Sequence, residues 1–92
     1  LSFRFQSTDN PDMDPREIEK LIEQGLGDAT VRVETDGQGH YQALVVSAGF
    51  DGKRSVQRHR MVYDTLGTLV GGEIHALAVK TFTPDEWQAT TR

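Results

Sequence analysis

The sequence predicts an α+β domain in the order α-β-β-α-β-α, a three-stranded sheet with helices packed on one face. Three observations carry that expectation. Two dense helix-start signals, Asp14-Pro15-Arg16-Glu17 and Thr83-Pro84-Asp85-Glu86, stand near the two ends of the chain. A run of period-two alternation, Ala29 to Thr35, is followed by a Gly-rich turn and a second apolar strand. A helical stripe of His59, Val62, Tyr63, Leu66, Leu69 and Val70 then separates that pair from a third strand.

Residues 1–12 carry the alternating Leu1, Phe3 and Phe5 and then the loop-forming Ser7 to Pro11. They are expected to be a disordered tail or a foreign remnant, with the domain proper spanning 13–92. In the first helix Asp14 accepts from free amides, Pro15 suits the first helical position, and Glu17 can complete a capping box. Ile18, Leu21, Ile22 and Leu26 mark its buried face, with Glu19, Lys20 and Glu23 pointing outward, and Gly25 and Gly27 end it. Asp36-Gly37-Gln38-Gly39 is a hairpin loop by composition, expected to be mobile, and His40 to Ser47 is the more buried strand. Gly49 to Gly52 turns the chain into a long helix, with Ser55 as its expected cap and Gly71-Gly72 as its stop. Ile74 to Thr81 is the third strand, and Phe82 and Trp87 are placed to staple the closing helix.

With 92 residues, 36% hydrophobic and 26% charged, the chain has the make-up of one small globular domain. It lacks the long apolar run of a membrane span and the skewed composition of a disordered chain. There is no cysteine, which excludes disulfides, a Cys-based zinc site and an intrachain Cys₄ iron–sulfur cluster. No secretory signal is visible, so the cytoplasm is the default compartment. The net charge of −4 hides an asymmetry: Lys53, Arg54, Arg58 and Arg60 face only Asp51, a local +3, which leaves −7 for the rest. Cations at a helix start oppose the macrodipole, so a solvated basic face competes there with a phosphate, anion or acidic-partner site.

No catalytic set emerges, and the chain is expected not to be an enzyme. Gly37-Gln38-Gly39 lacks the third glycine of a dinucleotide fingerprint and joins strand to strand. Ser47 lacks the first glycine of a nucleophile elbow. The three histidines are the only soft nitrogen ligands. His40 lies at the hairpin exit and His75 at the opening of the third strand, whereas His59 on the apolar stripe reads as a half-buried core residue. Their spacing matches no metal motif.

Several blocks, in order, resemble the BolA family: Val45-Val46-Ser47-Ala48-Gly49-Phe50-Asp51-Gly52-Lys53, Val56-Gln57-Arg58-His59-Arg60, Ile74-His75-Ala76-Leu77 and Thr83-Pro84-Asp85-Glu86-Trp87. The match runs from about Ile18 to Trp87, and the hairpin histidine is similar to the IbaG-type branch. The resemblance implies a fold related to type II KH domains and a partnership with monothiol (CGFS) glutaredoxins through a bridging 2Fe–2S cluster. It implies that His75 is a cluster ligand and His40 the second candidate, with a glutaredoxin cysteine and glutathione completing the set. No cluster is then expected in the isolated chain, which is a monomer or weak homodimer without membrane contact. It also implies DNA binding by a transcriptional regulator, through Gly52 to Arg60 and so Lys53, Arg54, Arg58 and Arg60. Ser55 stands where the KH signature has its second glycine.

Overall fold

The Asp14 carboxylate accepts the Arg16 amide at 2.9 Å, and with Pro15 behind it the chain enters helix α1, Pro15–Leu26. The computed structural model describes residues 13–74 and 76–91; the expected 1–12 tail lies outside them. Gly27, at φ +92°, ends α1 with its amide on the Glu23 carbonyl. Strands β1, Thr30–Thr35, and β2, His40–Val46, form the expected antiparallel hairpin. A 3-10 turn, Ala48–Phe50, leads to helix α2, Ser55–Leu66. A second 3-10 turn, Gly67–Leu69, precedes β3, Ala76–Phe82, and α3, Pro84–Thr91, closes the order.

The sheet order is β1-β2-β3, and β2 pairs antiparallel with β1 but parallel with β3. Alternation then sorts the faces. Val31, Val33, Tyr41, Ala43 and Val45 point to one side and meet Ile18 and Ile22 of α1 and Val62 and Leu66 of α2. Phe50 and Ile74 are fully buried with them. The Tyr41 hydroxyl, carried into this core, donates to the Met13 carbonyl at 2.7 Å. Ser47 is buried too: its hydroxyl donates to Asp28 and accepts the Gly49 amide, so it caps a turn.

The α+β class and the element order stand as the sequence predicts, with three refinements. Only α1 and α2 cover the core face. Trp87 of α3 lines a shallow groove with Arg32, Leu44 and Val46 on the opposite face and packs against Phe82, ring centres 5.3 Å apart and tilted by 56°. The reason is local: β3 ends on the outward-facing Phe82, and the Thr83 cap follows with no linker. Helix α2 is capped by Gln57, whose side-chain oxygen accepts the Arg54 amide at 2.9 Å, with Arg54 rather than Ser55 in the cap position. It stops at Gly67, φ +59°, while the following 3-10 turn keeps Leu69 and Val70 packed on the core.

Glu19, expected to point outward, is half-buried and reaches β1, where its carboxylate accepts the Val33 amide at 2.9 Å. At the other edge of the sheet the Tyr63 hydroxyl of α2 donates to the Leu77 carbonyl of β3 at 3.0 Å. Gly25 sits inside α1, not at its end: a Cβ there would lie 2.7 Å from the Cβ of Thr65 on α2. The two helices pack this closely only over a glycine.

Candidate functional site

Parallel pairing brings the starts of two strands together although they are far apart in sequence. His40 is the register partner of Ala76, and the Ala76 amide donates to the Gly39 carbonyl at 3.1 Å. Ala76 follows His75 in the chain; His75, the first candidate ligand, lies outside the described residues. The hairpin exit and the opening of β3 are therefore one end of the sheet.

The loop is more tied down than its glycines suggest. The His40 carbonyl accepts both the Asp36 amide, at 3.2 Å, and the Thr35 hydroxyl, at 3.0 Å. The Thr35 oxygen accepts the Gly37 amide, and Asp36 Oδ1 accepts the Gln38 amide at 2.7 Å. Gly37 and Gly39 supply the positive φ angles, +81° and +85°, that let the turn close. The other Asp36 oxygen, Oδ2, lies 2.8 Å from Nδ1 of His40. The imidazole and the Gln38 amide together hold the Asp36 carboxyl below its ordinary range. An ionised carboxylate only accepts, so a neutral ring in this contact carries its proton on Nδ1 and keeps its lone pair on Nε2. His40 is 60% exposed, beside an open depression lined by Glu34, Thr35, Gln42 and Ala78. Chemically, this is a preset imidazole donor that suits a metal supplied from outside. Among the described residues, no three His, Asp or Glu side chains converge to hold a metal by themselves.

The basic segment divides. Lys53, Arg54 and Arg60 are exposed at the start of α2, with Val56 beside them, 67% exposed. Arg58 turns inward and is only 12% exposed. Its two terminal nitrogens grip the Glu86 carboxylate at 2.8 and 3.2 Å, and Nε donates to the Lys53 carbonyl at 2.9 Å. Its guanidinium carbon stands 5.7 Å from the centre of the Phe50 ring. Glu86 also accepts the Thr83 amide while the Thr83 hydroxyl accepts the Glu86 amide, the reciprocal cap expected from the sequence. Arg58 first, and then the Thr83 amide, pull the Glu86 carboxyl down to about 2. Of the four candidate phosphate contacts, Arg58 is thus already engaged within the fold. His59 is half-buried on α2, as the apolar stripe predicts.

Sequence reasoning missed two residues, Asp36 and Glu86. Asp36 stands four residues before His40, at the other foot of the hairpin loop, a signal that could have been read. Glu86 lies 28 residues from Arg58, and only the fold brings them together.

Comparison with known proteins fits this architecture. The chain belongs to the BolA-like protein family, whose model matches residues 17–86. It is 44% identical over 52 residues to the DNA-binding transcriptional regulator BolA of Haemophilus influenzae, covering 56% of this chain and 50% of that one. It is 37% identical over 60 residues to BolA-like protein 1 of Homo sapiens, covering 65% and 44%. The solved structure of a BolA homologue from Coxiella burnetii is similar at a TM-score of 0.75 and 40% identity, over 83% of this chain and 97% of that one. The chain spans about half the length of the curated relatives it matches first.

Proposed function

We propose that this chain is an iron–sulfur partner protein that shares a bridging 2Fe–2S cluster with a monothiol glutaredoxin and its glutathione, in cluster trafficking or in iron and redox regulation. One observation carries the reading: at the sheet end where β2 and β3 begin, His40 offers an exposed Nε2 beside Ala76, the residue after His75. A 2Fe–2S cluster takes four ligands, and histidine can replace thiolate at two of them on one iron. A chain without cysteine can give at most imidazoles, and a partner's thiolates supply the remainder. Such ligation raises the cluster's potential and makes it acid-labile, because the nitrogen must be unprotonated to bind.

The test mixes the protein with anaerobically reconstituted glutaredoxin and follows visible absorption and circular dichroism. A new, histidine-ligated spectrum is expected, and it should be lost in His75→Ala while that variant unfolds at the wild-type temperature. A wild-type heterodimer spectrum from a normally folded His75→Ala protein would sink the assignment.

A second reading, DNA binding in transcriptional regulation, is supported by the name of the Haemophilus relative and by the exposed Lys53, Arg54 and Arg60. Binding would then be steep in salt, the log–log slope losing roughly 0.9 for each phosphate contact removed from duplex DNA. Lys53→Glu, Arg54→Glu and Arg60→Glu together should abolish it. Unchanged affinity in that triple variant would dismiss the basic segment as the contact.

A further inference from the structure

We propose that Asp36 is a positioning residue for His40: it fixes the imidazole as the Nδ1–H tautomer and aims Nε2 at iron. The inference rests on the reading of His40 as a cluster ligand and names what prepares it.

The geometry is specific. Asp36 Oδ2 is 2.8 Å from Nδ1, and its other oxygen is occupied by the Gln38 amide, so the carboxylate cannot swing away without breaking a second bond. The histidine backbone is fixed as well, by the Asp36 amide and Thr35 hydroxyl on its carbonyl and by the neighbouring Gly39 carbonyl on Ala76. Both ends of the imidazole–carboxylate contact are therefore anchored before any partner arrives. The free nitrogen is Nε2, the ring atom farther from the backbone, on a side chain 60% exposed. An imidazole in water prefers the opposite tautomer, with the proton on Nε2, which is the form that cannot bind metal through the outer nitrogen. Metal-ligating histidines are commonly oriented through their second nitrogen by a carboxylate, and loss of that partner typically weakens metal binding roughly 10- to 100-fold. Beyond closing its own turn through the Gln38 amide, Asp36 has no task in the core, since both it and His40 lie exposed at the hairpin.

Long-range proton–nitrogen NMR on the metal-free chain tests this without any cluster, at a pH where the ring is neutral and with His40→Ala to assign its signals. The expected result is a His40 ring protonated on Nδ1 in wild type, reverting toward Nε2–H in Asp36→Ala, with backbone amide signals beyond residues 35–40 unmoved. A wild-type ring protonated on Nε2 overturns the proposal whatever the cluster does. In the glutaredoxin heterodimer, Asp36→Ala should lose the cluster to a chelator roughly 10-fold or more faster than wild type. If His40→Ala loses the cluster quickly and Asp36→Ala holds it like wild type, the positioning role fails and the ligand reading survives. If both variants hold it like wild type, the ligand reading fails and takes the proposal with it.

Discussion

Two carboxylate contacts at opposite ends of the sheet use the same chemistry for opposite purposes. At the β1–β2 turn, Asp36 takes one nitrogen of His40 and leaves the other facing outward, on side chains 50% and 60% exposed. At the start of α2, Glu86 and the Lys53 carbonyl take up three nitrogens of Arg58, and the ring of Phe50 lies beneath. The first pair leaves a ring nitrogen open; the second uses up the guanidinium it holds. A charged residue in a promising segment is a site only if the fold leaves some of its bonding capacity unspent.

The largest expected effect lies under the closed pair. Phe50→Ala should cost about 3–5 kcal/mol, read by urea unfolding, because it empties a fully buried position and removes the platform of Arg58. Arg58→Ala should follow at about 2 kcal/mol, as it drops a bidentate carboxylate contact, a carbonyl contact and the packed stem together. A negligible loss in Arg58→Ala would put Arg58 back among the free cations. The third effect depends on pH. The folded Glu86 carboxyl titrates near 2, below the ordinary carboxylate range, so its contribution is complete above that range and disappears as pH falls toward 2. Glu86→Gln should therefore flatten the acid limb of the stability curve, and an unaltered limb would mean that other carboxylates set it.

At the open pair the stability effects should vanish. His40→Ala and Asp36→Ala are expected to melt at the wild-type temperature, and a clear drop in either would make the pair structural. The smallest measurable change in stability has the opposite sign. Arg54→Glu places an acid at the start of α2 and should raise stability by a few tenths of a kcal/mol. That gain would show that the exposed cations are kept for something other than the fold.

The sequence was most legible where the physics is local. Asp14-Pro15 and Thr83-Pro84-Asp85-Glu86 announce helix starts through bonds spanning two or three residues, and both caps form. The alternation in β1 and β2 likewise names its buried residues in advance. What escaped was set by competition or by distance. Ser55 was the better cap by type, yet the Gln57 side chain satisfies the amide of Arg54 one residue earlier. The apolar stripe ran on through Leu69 and Val70 because a 3-10 turn keeps them inward after Gly67 has broken the helix. The candidate His40 could be read from its place at the hairpin exit. Its partner Asp36 takes one step more: composition marks it as a turn former, and only its place at the other foot of the hairpin sets it against His40.

The Val33 amide donating to Glu19 and the Tyr63 hydroxyl donating to Leu77 engage the two outer strands of the sheet, each through a helix that also builds the core. A foreign strand approaching β1 at Val33, or β3 at Leu77, must first displace a side chain already bonded to the backbone it would pair with. This lowers the tendency of a three-stranded sheet to grow by templating, the route by which small open sheets become fibres. Damage to Glu19 or Tyr63 would therefore show first as a solubility defect at high concentration, before any loss of binding.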